Sequence, residues 1–226
     1  MAKWQYTRGL HDLGNSCYAW LQPDGSWGYS NSGLIVDQGE TLLVDTLMDL
    51  SHTREMLEGY RAAEVRLTNV GPAHTRGDVL AYVPGDRTVF TGDILFIGGH
   101  PAVWDGPVSN WIKACDMILG WDVETIVPGH GPITDKQGVL ALKDYFEYVA
   151  AAARKRFDAG MSADETARDI SLDAYRDWID DERIVVNVHA LYREFAGGGA
   201  EPNAMDMHAR MARYRKERGG GRSVRE

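Results

Sequence analysis

The sequence predicts an α/β layered domain, and three observations carry that expectation. Short apolar runs separated by tight turns fill the first part of the chain. A stretch at helical spacing follows, and strand signals then resume. Beyond Pro132 the pattern is helical. Strands followed by helices and again by strands bury their apolar faces in stacked layers.

Hairpin grammar opens the chain. Ser16 to Leu21 reads as a strand, Pro23-Asp24-Gly25 as a turn, and residues 32 to 46 as two apolar runs joined at Asp37-Gln38-Gly39. After Asp45 the period changes, with Leu50, Met56, Leu57 and Tyr60 at helical spacing. Strands are expected at Glu64 to Val70, Val79 to Val83 and Thr88 to Thr91, with Pro84-Gly85-Asp86 turning between the last two. A helix follows at Val108 to Leu119, and Val123 to Gly131 reads as a buried strand emptying into a glycine-rich loop. Thr134 or Asp135 caps the next helix, Ser162 to Glu165 has the capping-box form for a second, and residues 181 to 195 give a third.

The bulk numbers bound the organisation. At 226 residues with 44% hydrophobic content, one folded domain is expected over residues 1–196, helical from 135 to 196. Residues 197–226 begin with three glycines and carry seven Lys or Arg against three acids from Asp206 onward. That segment reads as a frayed helix and solvated, flexible basic tail, or as a binding arm. A net charge of -9 disfavours nucleic acid and anionic membranes, which leaves a small molecule as the expected partner. Cys17 and Cys115 lie far apart among apolar residues and are expected as buried reduced thiols. The N-terminus has no apolar leader, and no apolar run approaches ~18 residues, so a soluble cytoplasmic protein is expected.

The chemistry concentrates in Val70 to Asp93 and in Val127 to Gly131, which place His74, Asp93 and His130 in loops after apolar strands. Neutral imidazole and carboxylate are ligands for Zn²⁺ and similar ions, and water bound to such an ion ionises near pH ~7 instead of ~15.7. Each of these residues taken alone is also an ordinary turn residue.

The runs LIVDQGETLLVDT, GPAHTRGD, FTGDILF and VPGHG, in that order, resemble the metallo-β-lactamase-fold hydrolases. The resemblance covers roughly residues 30 to 135 and implies an αββα sandwich with a metal site at one edge of the sheets. It further implies that His74 binds a first zinc ion, Asp93 bridges to a second, and His130 binds the second. The activity it implies is metal-dependent hydrolysis of a small-molecule ester, thioester, lactone, amide or phosphoester.

One part of the family pattern is missing. Members carry a strand ending in His-x-His-x-Asp-His before the GPAHT-type motif, whereas here no His-x-His pair and no Asp-His dipeptide occurs. Ala62 to Glu64 is the apparent junction of an internal deletion, which would remove a strand and helices from the first half. Four ligands go with them, and a zinc site normally needs three protein ligands plus water, or four. A rearranged site of two His and one carboxylate, holding zinc or iron, is the remaining arrangement. Activity is therefore expected to be weak or absent, and the alternative reading is a non-catalytic truncated paralogue or scaffold relic.

Other candidates are weaker. Asp45 could support the site as a hydrogen-bonding carboxylate or simply end its strand, Asp78 could cap the following turn, and His100 in a glycine-rich loop could overhang the site. His11 is expected after a strand, while His52, His189 and His208 have no ligand spacing. Trp104 and Trp111 read as pocket lining or core. A missing strand would leave sheet edges and an apolar face uncovered, so self-association is expected.

Overall fold

The computed structural model describes residues 5–15, 17–23, 30–37, 40–45, 52–53, 56, 66–199 and 203–219. Two four-stranded sheets form its centre. The first is an antiparallel meander of β1 (Gly9–Gly14), β2 (Cys17–Leu21), β3 (Ser32–Asp37) and β4 (Glu40–Val44). The second runs β5 (Arg66–Gly71), β6 (Asp78–Val83), β7 (Thr88–Phe96), β8 (Thr125–His130) in spatial order. Its first two pairings are antiparallel, and β7 and β8 are parallel. A parallel pair needs a crossover, and here α1 (Val108–Gly120) supplies it.

The sheets face each other through small and apolar residues. Cys17, Ala19, Leu21 and Ile35 of the first meet Ala81, Val83, Phe90 and Val127 of the second. The approach is close, because a Cβ on Gly33 would run into the Phe90 ring. Both thiols are free and buried, as expected. Burial and Asp86, whose carboxylate accepts the Cys17 thiol hydrogen bond, push Cys17 far up, and burial pushes Cys115 to about 12.

Helices cover the outer face of the second sheet. Trp111, Cys115 and Ile118 of α1 pack in one core with Val139, Leu142 and Phe146 of α2 (Lys136–Asp158). Asp135 caps α2 by accepting from the backbone of Gln137, and Ser162 with Glu165 forms the expected capping box of α3 (Ala163–Asp169). Helix α4 (Ile184–Phe195) is buried along most of its length. On the outer face of the first sheet, Met56 packs on Trp20 and Leu34. Two facing sheets with helices outside make the predicted layered architecture. No described helix is long and apolar enough to cross a membrane.

Three expectations are corrected. His11 does not follow a strand but lies within β1, opposite Ala19. Strand β7 does not stop at Thr91; it continues to Phe96 through irregular register around Gly92, so Asp93 lies in a strand and not after it. The segment expected as a frayed helix and solvated tail is docked instead: in α5 (Ala204–Glu217) Met207, Met211 and Tyr214 are buried in the main core. Those three residues recur at i, i+4 and i+7, an apolar stripe that the arginine content of the segment masks. The expected helix after Asp45 and the junction at Ala62 to Glu64 lie outside the described residues, apart from His52, Thr53 and Met56.

Candidate metal centre

His74 sits in the loop between β5 and β6, and that loop is held by side-chain hydrogen bonds. Asp78 accepts from the backbone of Ala73 (3.2 Å) and Thr75 (2.9 Å) and from the Thr75 hydroxyl (2.8 Å). It is therefore the cap that the sequence suggested. From α1, the Asn110 amide donates to the carbonyls of Val70 and Pro72 at 2.6 and 3.0 Å. His74 itself is oriented by the Ala102 carbonyl, 2.8 Å from Nδ1. A carbonyl can only accept, so Nδ1 carries the proton and Nε2 faces Asp93.

Asp93 and His130 meet at the β7–β8 pair. A Cβ on Gly129 would collide with the Asp93 carboxylate and the Gly92 backbone, so only glycine leaves room for that side chain. Asn31, just before β3, ties down the loop around His130. Its amide donates to the carbonyls of Pro128 (2.9 Å) and Gly131 (3.0 Å), and its backbone N–H donates to Gly129 (2.8 Å). Nothing in the apolar spacing marks Asn31, whose role depends on a contact 97 residues away.

The structure thus brings the three expected residues together. His74 Nε2 lies 3.3 Å from Asp93 Oδ2, and His130 Nε2 lies 3.2 Å from Oδ1. Burial would raise the Asp93 carboxyl, but His130, His74 and Arg183 outweigh it and hold the group below the usual carboxylate range. Asp93 Oδ1 is buried and faces His130 Nε2.

These donors fit part of a metal centre. Ligands about 2.0–2.2 Å from one tetrahedral ion stand about 3.3–3.6 Å from each other, close to the two separations seen here. Yet each carboxylate oxygen faces a different imidazole. Among the described residues no group of three or more His, Cys, Asp or Glu is arranged to hold an ion. A complete resident metal site does not fit the described donors.

The remaining candidates separate. Asp45 and Asp78 line a cavity of about 480 Å³ together with His74 and Asp93. His100 does not overhang it: the ring is fully buried, edge-on to Tyr145 and Trp178, and lines another cavity. Burial and the Arg183 charge push its pKa down to about 4. His189 pairs with Asp164 at 2.9 Å, and His208 lies against the Trp104 ring. Trp111 is core, its indole N–H donating to the Ile94 carbonyl at 2.6 Å. Asn187 was unmarked in the sequence, a polar residue on an apolar helix face. It is fully buried, accepts from Val103 N–H (3.0 Å) and donates to Pro101 (2.9 Å) and the Tyr145 hydroxyl (3.0 Å). It thereby fixes the loop whose Ala102 carbonyl orients His74.

Comparison with known proteins agrees with this architecture. Residues 62–130 match the family model of the Metallo-beta-lactamase superfamily. The chain is 30% identical over 106 residues to the 2,4-dinitroanisole O-demethylase subunit alpha of Nocardioides sp. (strain JS1661), covering 46% of this chain and 32% of that protein. It is 27% identical over 115 residues to the mitochondrial hydroxyacylglutathione hydrolase of Saccharomyces cerevisiae, covering 46% and 39%. The chain therefore spans well under half the length of these relatives. Among solved structures, the inverting sec-alkylsulfatase Pisa1 from Pseudomonas sp. superposes with a TM-score of 0.67 at 12% identity, covering 95% of this chain and 55% of that one. VMB-1 superposes with a TM-score of 0.53 at 12% identity, covering 65% and 99%. At such identities the likeness is one of fold.

Proposed function

We propose that this chain belongs to the metallo-β-lactamase superfamily and that His74, Asp93 and His130 are the retained half of a hydrolase centre. Its reaction class is hydrolysis of a small-molecule ester, thioester, lactone, amide or phosphoester, and in this polypeptide that activity is weak or absent. The observation that carries the reading is the convergence of two imidazoles on one carboxylate with no further ligand beside them among the described residues. The sequence supports it, since the His-x-His-x-Asp-His ligands occur nowhere in the chain. His130, His74 and Arg183 hold Asp93 below the ordinary carboxylate range, as an anion between the two imidazoles.

Metal analysis of the purified chain after equilibration with zinc, alongside a panel of ester, thioester, lactone and phosphoester substrates, tests this. Well under one ion per chain and rates near buffer are expected. About one tightly held ion, lost in His74→Ala and accompanied by hydrolysis, would overturn the half-centre reading.

A further inference from the structure

His74 is held by a short stretch of chain beyond its own loop, and that stretch is held in turn by α4. Gly106 N–H donates to the Ala73 carbonyl at 2.8 Å, and Asp105 N–H donates to the His74 carbonyl at 3.3 Å. The Asp105 carboxylate accepts from Arg76 Nε at 3.2 Å, and the Ala102 carbonyl holds the His74 ring. Residues 102–106 thus set both the backbone and the side chain of His74, yet they lie outside any helix or strand that could fix them.

Their carbonyls find partners along one helix. Arg183, just before α4, donates to the His100 carbonyl at 2.9 Å, and Asn187 holds Pro101 and Val103. Arg193 Nη2 donates to the carbonyls of Trp104 at 3.1 Å and Asp105 at 3.4 Å. The lengths match: from Arg183 to Arg193 a helix rises about 15 Å, and chain from residue 100 to 105 spans at most about 17 Å. Arg193 takes the end of the stretch that touches the His74 backbone. The Trp104 carbonyl shares one planar peptide with the Asp105 N–H, and the Asp105 carbonyl shares the next with the Gly106 N–H; both are trans. In a trans peptide C=O and N–H point in opposite directions, so a donor that fixes the carbonyl also aims the amide.

We infer that Arg193 is a positioning residue for His74. By holding these two carbonyls it aims the two amides that fix the backbone at Ala73 and His74, and so keeps the imidazole turned toward Asp93. The inference rests on His74 belonging to the proposed centre, and it deepens that reading by naming a residue outside the ligand set on which the geometry depends. His130 is held differently, through Asn31 and the Ile97 N–H, and so serves as a control within the same molecule.

Proton exchange followed by NMR on the full chain, with a chelator present, tests it. Arg193→Met keeps an apolar stem and removes the donor, and is expected to make the Asp105 and Gly106 amide protons and the His74 Nδ1 proton exchange roughly tenfold faster. The His130 ring signals are expected to stay where they are. Because one nitrogen makes both bonds, Arg193→Lys can supply the same donor, and is expected to bring the three protons back to within about threefold of the parent chain. Unchanged protection of His74 in Arg193→Met overturns the inference, as does a lysine variant no better than the methionine one, or an equal disturbance of His74 and His130. A measurement on the parent chain stands whether or not the variants fold. There the three protons are expected to lose protection over the same range of urea, and amides that open while His74 Nδ1 remains protected overturn the inference. Metal content and hydrolysis are read separately. A metal-loaded, active chain in which Arg193→Met still frees His74 overturns the half-centre reading alone, and a metal-free, inactive chain in which His74 stays protected overturns this inference alone.

Discussion

His74 turns Nε2 toward Asp93 Oδ2 at 3.3 Å because its Nδ1 is committed to the Ala102 carbonyl at 2.8 Å. A neutral imidazole held this way opposes a lone pair to a carboxylate lone pair, which is stable only with positive charge between them or on the ring. The orientation of one backbone carbonyl therefore makes the pair cation-seeking, in the manner of the outer hydrogen bonds that fix histidine ligands in metal sites. Under the proposed half-centre reading, what the described residues lack is the rest of a ligand set.

Gly129 is the first place to test how tightly that pair is built. Gly129→Ala would push its Cβ into the Asp93 carboxylate and the Gly92 backbone, neither of which can yield as the tip of a long side chain can. A loss of about 1–3 kcal/mol in urea unfolding is expected. A shift of the His74 and His130 imidazole NMR signals is expected with it. Unchanged signals and stability would show that Asp93 is free to move aside.

Asn187→Leu should act on the same centre from behind. The substitution leaves the Val103 N–H and the Pro101 carbonyl buried without their partner, and takes one from the Tyr145 hydroxyl. A cost of about 3 kcal/mol or more is expected, since a buried polar group that loses its partner costs about 1–3 kcal/mol. The Ala102 carbonyl should lose its fixed place as well, read as a loss of protection of the His74 Nδ1 proton from exchange. A destabilised variant with that proton still protected would separate Asn187 from the site.

Helix α5 belongs to the domain and should behave so. Met207→Ala removes a side chain buried in the main core and is expected to cost about 2–5 kcal/mol. By contrast Met205→Ala, at a position 77% exposed on the same helix, should be nearly neutral. Equal effects of the two substitutions, measured by urea titration, would return the segment to the solvated tail suggested by its charge.

The sequence made the layers and the three central residues legible for one reason. Strand periodicity and turn residues are local, and His74, Asp93 and His130 each sit beside such a local signal. Asn31, Asn110 and Asn187 were not legible, because each is an ordinary polar residue locally and acquires its role through carbonyls brought near only by the fold. Helix α5 was obscured by composition, its stripe of Met207, Met211 and Tyr214 being set among arginines that mostly pair with acids of other elements. The continuation of β7 past Gly92 was hidden by the glycine itself, which reads as a strand end but serves a break in register.

His100 gives a prediction with a definite pH window. Buried against Tyr145 and Trp178, and repelled by the Arg183 charge, its imidazole is pushed down to about 4. In the unfolded chain the same group takes a proton near its ordinary value of about 6.5. Above that value both states hold it neutral and it contributes no pH dependence. As the pH falls from about 6.5 to 4 only the unfolded chain gains the proton, so the native state loses stability, by about 3 kcal/mol in all. Below about 4 both states are protonated and the loss levels off. His100→Phe keeps a ring against Tyr145 and Trp178 but cannot titrate, so its advantage over the parent chain should grow steadily from neutral pH toward pH 4. Urea unfolding of both proteins across that range measures the difference, and parallel pH profiles would show that His100 is protonated in the folded chain as readily as in the unfolded one.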